Sequence, residues 1–518
     1  MADHGRHLVH SHAHEEDIPG TVNLKAAEGD DTGYGQALFP VPAEDPNDPL
    51  QWSPFKKNMI LIICSLYSFL GNSALLGPAV YIGIYSEEFH ITPTKASGLV
   101  SYSNLAYGFG SLLLVPMYLK FGRRPIMLGS ILAFAGGLIG CSQCNTFDSL
   151  MACRVIQSFG AGVCEALPVQ LVNDIFFITN AASAWGPIYA GYMLAGGYSW
   201  RLFFYVGFAF AMGLFILAFF FVEETAYDRE SMKSQLGPAT VVDEKGTGNQ
   251  LVEVPSNAIG RKSFAATLKP WSRVYEGPFF QVMLRSFTYF LVPSVFWVVT
   301  TYGINIGLGA LAFNYTFPIF IVQPPYNWSP TNSGLIAVAS AIGFFLAIPL
   351  TTTSDRLAAR LTKKNNMVRE AEMRLGVLLV PLLIGPAGLI LYGYAAQEHL
   401  HWITYFVAVS MTSWGSYFFF TFTLAYAVDS HTASMSEMLI AMNLGKQAIS
   451  FAMGIYLLDW ILTIGYVKMI AGIFCGLLLL NNLAVIPFML FGKKIRIAFS
   501  KTWLAKWHSQ TATVGETH

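Results

Sequence analysis

Apolar residues run along this chain in long blocks, and polar residues gather in short clusters between them. A helix needs about 20 mostly apolar residues to cross about 30 Å of hydrocarbon. Blocks of that size lie near 59–80, 97–118, 125–143, 150–172, 176–197 and 202–222, and again near 287–322, 333–353, 375–396, 402–427, 437–458 and 468–491. The pattern predicts an all-α membrane protein of about twelve spans in two six-helix halves. The halves are read as 56–225 and 283–495, joined by a polar linker at 226–282. Polar stretches at 1–55 and 496–518 are expected to be tails, the first disordered.

Composition agrees with this class, since 54% of the 518 residues are hydrophobic and only 12% charged. Lys+Arg and Asp+Glu are equal at 31 each, so no net charge directs the chain to nucleic acid. The distribution of basic residues is more informative. Arg123 and Arg124, the linker residues Arg261, Lys262, Lys269 and Arg273, the group Arg356 to Arg369, and Lys493, Lys494 and Arg496 all fall on one side if spans alternate. Basic loops stay in the cytosol, which places both termini there. The first fifty residues hold no apolar h-region, so no cleavable signal peptide is expected. The histidines between His4 and His14 are read as part of the tail rather than a metal site. Cys141 and Cys144 are read as helix residues rather than a disulfide or redox pair. No metal or cofactor is expected.

One junction breaks the pattern. The stretch "NDIFFITNAASAWGPIYAGYM", 173–193, passes from one apolar block to the next with almost no loop. The alternation of basic loops survives only if the chain still crosses here, so a shortened fifth helix is expected.

Ionisable groups inside a membrane are costly and therefore functional candidates. In the fourth block Arg154 and Glu165 stand eleven residues apart and, on one continuous helix, point the same way. About 16 Å of axial separation prevents them from pairing with each other, which suggests a helix lining a wet cavity. A carboxylate there can take and release a proton. The alternatives are an Arg154 that snorkels outward and a Glu165 that caps a neighbouring helix. In the eleventh block Lys446 is read as facing the cavity, against a structural ion pair. Asn72, Asn104, Tyr107, Asn305, Asn314, Tyr315, Trp414, Tyr417 and Asn443 complete a candidate pocket. Ring faces, amides and one acid suit an amphipathic or cationic organic solute.

Three motifs give the chain a family resemblance. "KFGRRP" (120–125), "RVIQSFGAG" (154–162) and "GPIYAG" (186–191) resemble the loop, fourth-span and fifth-span motifs of the major facilitator superfamily, in its fungal twelve-span drug:proton antiporter branch. The resemblance implies two parallel six-helix halves with a midplane site, working by alternating access. It implies that Arg154 and Gln157 are proton-linked, that Gly186, Pro187 and Gly191 bend the fifth helix, and that Gly122, Arg123 and Arg124 latch the inward gate. The sequence departs from the family pattern at Leu119, where an acid is usual, and at Ser158 and Ala182. The junction after "NDIFF" departs most, as if some residues had been lost.

The expected function is proton-coupled export of small organic solutes, cationic, drug-like or polyamine-like, by a monomer in the plasma membrane. A proton-coupled nutrient importer, or a homologue inactivated at the short junction, are the alternatives. No soluble catalytic domain is visible, so an enzyme is not expected.

Overall fold

A computed structural model describes residues 21–23, 48–168, 171, 200–225, 279–328, 335–366, 368–430 and 435–509. The His-rich start, the 173–193 junction with Gly186, Pro187 and Gly191, and most of the central linker lie outside the described residues.

Helix starts follow from local capping chemistry. α1 (Pro54–Leu76) begins at Ser53, whose hydroxyl accepts the Lys56 N–H, with proline at the first helical position. Thr92 and Pro93 repeat the arrangement at α3 (Pro93–Phe121), and Thr146 caps α5 (Phe147–Ala161) through the Ser149 N–H. Between them, α1 continues through a 3₁₀ segment, Gly77–Tyr81, into the short α2 (Ile82–Glu88). α4 (Arg123–Gln143) follows α3 after a single residue, Gly122. Gly122 has φ +101°, a conformation that glycine adopts without steric cost. α6 (Arg201–Phe221) ends the first half.

The second half opens with α7 (Phe279–Thr288) and then α8 (Pro293–Ile304), a π-helical segment at Asn305–Ala310, and α9 (Leu311–Ile321). α10 (Ile336–Lys364) leads to a strand, β2 (Val368–Glu370), which pairs antiparallel with β1 (Thr21–Asn23) from the segment read as a disordered tail. A 3₁₀ helix, Ala371–Leu379, meets α11 (Pro381–Gln397) at a bend of 42°. There follow α12 (Trp402–Ser430), α13 (Met435–Ile464), a second π segment at Val467–Phe474, α14 (Cys475–Leu483), α15 (Val485–Ser500) and α16 (Trp503–Ser509).

Among the described residues nine helices are long and apolar enough to cross a membrane, or ten with the bent pair counted as one span. α12 has the length, at 29 residues, but its many Ser, Thr, Trp and Tyr make it less apolar. In chain order these segments fill the predicted blocks, apart from the fifth. Large apolar side chains such as Phe210, Leu346, Leu383 and Leu490 face outward, as lipid requires.

The halves meet along α3 and α13, which run antiparallel. Near one end Thr94 Oγ1 donates to Asp459 Oδ1 at 2.7 Å. Further along, the rings of Tyr102 and Phe451 meet edge to face at 5.3 Å, and Gly108 lies against Leu444 and Gln447. Here "the basic-loop end" denotes the end carrying Gly122 to Arg124.

Candidate functional site

Backbone packing sets up the site. α3 and α5 cross so closely that a Cβ on Gly110 would stand 2.3 Å from the Phe159 carbonyl oxygen, and one on Gly162 2.6 Å from the Gly110 backbone. α5 ends at Ala161 and a turn follows through Glu165, so the continuous helix expected from 150 to 172 is broken. Across this turn Arg154 and Glu165 serve different neighbours, Arg154 the end of α1 and Glu165 α13.

Glu165 instead reaches the other half, where its Oε2 accepts from Lys446 Nζ in a direct ion pair. Lys446 is 2% exposed and Glu165 23%, so the cation is buried while the acid keeps a side open. The Tyr302 ring lies 5.5 Å from the ammonium, and Tyr107 O–H lies 3.0 Å from Cys164 Sγ, next to Glu165. The residues read separately from the sequence are thus partners. Breaking a buried pair by neutralising one member costs about 3 to 5 kcal/mol, because the other charge is left without compensation.

Arg154 does different work. Its Nη1 donates to Ala74 O at 2.6 Å and to Gln157 Oε1 at 2.9 Å, and its Nη2 to Leu75 O at 2.8 Å. Gln157 Nε2 also reaches Ala74 O, at 3.3 Å. Both side chains thus satisfy the carbonyls that α1 leaves open where it gives way to the 3₁₀ segment, at the negative end of its dipole. In this arrangement Arg154 and Gln157 together hold the bend at the end of α1.

The sequence profile described as Major Facilitator Superfamily matches residues 61–458. The chain belongs to the major facilitator superfamily. It is 23% identical to an uncharacterised MFS-type transporter of Schizosaccharomyces pombe, over 95% of this chain and 94% of the relative. It is 27% identical to the MFS-type transporter penM of Penicillium rubens, over 77% of each chain. Protein HOL1 of Saccharomyces cerevisiae is 21% identical, with 97% of this chain and 98% of the relative covered. Among solved structures, the proton:xylose symporter XylE bound to 6-bromo-6-deoxy-D-glucose superposes with a TM-score of 0.56 at 12% identity, covering 85% of this chain and 97% of that one, a likeness of fold. The protein is therefore a transporter of this superfamily, an integral membrane protein of all-α fold and not an enzyme.

The other candidate pocket residues of this transporter divide into three groups. Several are used locally: Asn72 bonds Ser68 O in its own helix, and Asn305 bonds Thr301 O and accepts Ser416 Oγ at 2.7 Å. Tyr315 reaches Ser101 across the halves at 3.5 Å. Others lie on the aromatic flank: Trp414 packs on Phe418, Tyr417 on Phe344, and Asn314 is half-buried on α9. The third group is a polar seam between the halves. Asn104 on α3 and Asn443 on α13 are fully buried, and neither atom of either amide has a hydrogen-bond partner. Gln447 Oε1 and Ser450 Oγ, on the same stripe of α13 as Asn443, are likewise unpartnered. Buried polar atoms without partners are rare in folded proteins and point to water or solute.

At the basic-loop end, the Glu224 carboxylate accepts the backbone N–H groups of Arg123 at 3.0 Å and Arg124 at 3.2 Å. Arg124 Nη2 also donates to Phe219 O at 2.7 Å. The acid missing at Leu119 is thus supplied from the end of α6, a partner that sequence reading missed. The second half has a matching cluster, also missed: Arg496 on α15 is held by Glu370 at 2.8 Å and Glu372 at 2.6 Å, with Lys493 at 2.7 Å from Glu370. Only pairing in space, between blocks more than a hundred residues apart, identifies these groups. All six cysteines are free; Cys144 Sγ lies 3.7 Å from Cys153, not bonded to Cys141.

Proposed function

We propose that the transporter exports small organic solutes in exchange for protons, with Glu165 as the group that takes the proton. The observation that carries this reading is the Glu165–Lys446 pair, the buried charged contact between the two halves. Protonating Glu165 removes the attraction, and the released ammonium then needs water or a new partner, which favours separation of the halves at this level. Arg154 and Gln157 hold the bend of α1 rigid while this happens. The seam amides at Asn104 and Asn443 offer donors and acceptors to a bound solute, and a cationic solute competes with Lys446 for the Glu165 carboxylate. With basic loops in the cytosol, both termini lie there and the plasma membrane is the site of action. The protein works as a monomer, because its two halves supply both charges of the pair.

The test is flux of a solute panel, polyamines and cationic drugs included, into inside-out sealed vesicles with an imposed pH gradient. Uptake driven by an acidic interior, and abolished when the gradient is collapsed, is the expected result. Flux that runs in the direction of the proton gradient would assign an importer, and flux indifferent to the gradient would remove proton coupling.

A further inference from the structure

The tail after the last span folds back on the bundle. α16 brings His508 over the junction of α7 and α8, where its ring stacks on Tyr289 at 4.1 Å with the planes 7° apart. His508 Nε2 lies 2.7 Å from Thr288 Oγ1, whose own hydrogen is directed to Arg285 O at 2.7 Å. With the hydroxyl hydrogen committed there, the imidazole is the donor in this bond. One residue earlier, the Trp507 carbonyl accepts Arg285 Nη1 at 3.2 Å. Arg285 is in turn paired with Glu437 of α13, and both are buried. His508 is 5% exposed and Leu504 6%, so this seven-residue helix is docked rather than trailing.

We infer that the face formed by Thr288, Tyr289 and the Arg285–Glu437 pair is a docking site for the chain's own C-terminal helix, and that a proton on His508 releases it. The dock holds the ring buried and flat against Tyr289, and a second proton would turn it into a buried cation beside the Arg285 guanidinium. Titratable or charged groups facing the imidazole are Arg285 from α7, whose guanidinium repels a cation, and the Tyr289 phenol; Glu437 of α13 is engaged by Arg285. From α15 the Phe499 ring approaches to 6.4 Å, and from its own helix the Trp507 ring to 6.3 Å. Burial first, and Arg285 second, push the imidazole down to about 4 from its ordinary 6.5. The docked pKa lies below the free one, so docking is complete above the free value and weakens as pH falls towards the docked one. Between these limits the docking equilibrium falls about tenfold per pH unit. On the function proposed above this end faces the cytosol and protons enter with each cycle, so the tail senses the acid that transport delivers.

The experiment is amide hydrogen exchange of the segment 499–509 in the full-length purified transporter, corrected for intrinsic rates, at pH 7.5 and 5.5. Protection should drop about tenfold at pH 5.5. His508→Phe keeps a ring for Tyr289 and has no proton to gain, so its protection should be equal at both pH values. Tyr289→Ala removes the platform and should leave the segment unprotected at both. Unchanged protection of the native protein between pH 7.5 and 5.5, or a matching loss in His508→Phe, would overturn the inference. None of these readouts requires transport, so failure here is separate from failure of the export reading.

Discussion

The two halves close their basic-loop ends with the same device and opposite charge. In the first half, the loop between the second and third spans is basic, and the end of the sixth span answers with Glu224 and Glu223, the latter 2.7 Å from Lys56. In the second half, the equivalent loop supplies Glu370 and Glu372, and the end of the last span supplies Lys493 and Arg496. Each clasp ties an inner loop to the end of the last long helix of its own half, so each half is bound together at this end. The difference is burial. The arginines are buried in both clasps, Arg123 and Arg124 as fully as Arg496, but Glu370 and Glu372 of the second are only 11% exposed each, whereas Glu223 and Glu224 of the first are half-buried. The second half should therefore depend on its clasp more heavily.

The largest expected effect follows from that burial. Arg496→Ala takes the guanidinium from between two buried carboxylates and leaves Lys493 beside Glu370 but Glu372 without that charge, and should cost about 3 to 5 kcal/mol, read as loss of folded, monodisperse protein on solubilisation. Glu370→Gln with Glu372→Gln in the same chain should recover part of it, since no like charges then remain. A smaller loss is expected where the first half is packed rather than charged. Gly162→Ala places a methyl group against the Gly110 backbone and should cost about 1 to 3 kcal/mol, measured as a lower thermal midpoint in detergent. Glu224→Ala removes a partly exposed cap at the start of α4 and should cost only about 1 kcal/mol. If Glu224→Ala proves as damaging as Arg496→Ala, the contrast between the clasps is lost. The smallest effect has the opposite sign. Asn443→Leu removes an amide with no partner, and should raise the thermal midpoint slightly while altering solute preference, since apolar replacement of an unsatisfied group is neutral or stabilising.

How much of this was legible in the sequence depends on the range over which each signal acts. Span positions follow from local apolar blocks, and α1, α3 and α5 begin at the Ser or Thr that their sequences offer as caps. Lys446 and Glu165 stood out singly, because a charge in an apolar block is conspicuous. Their pairing was invisible, since 281 positions separate them and only the packing of the halves joins them. The assumption of one unbroken helix from 150 to 172 missed the turn at 162–165, where Gly162 meets the Gly110 backbone, a tertiary fact. Leu119 made the loop latch look incomplete, because the acid that completes it comes from a different helix. The two tails were read as polar ends, yet Thr21–Asn23 forms a strand on β2 and α16 packs on α7. Short polar segments reveal such docking only through their partners. The expected shortened fifth helix falls outside the described residues.

The central claim is that the cross-half pair carries the proton. Its most direct test compares the native transporter with Glu165→Gln/Lys446→Gln, which removes both charges and leaves no orphan, in sealed vesicles loaded with a transported solute. The account predicts that the double variant still inserts and exchanges solute down its concentration gradient, but no longer responds to an imposed pH gradient. A double variant whose flux follows the pH gradient as the native protein's does would contradict it.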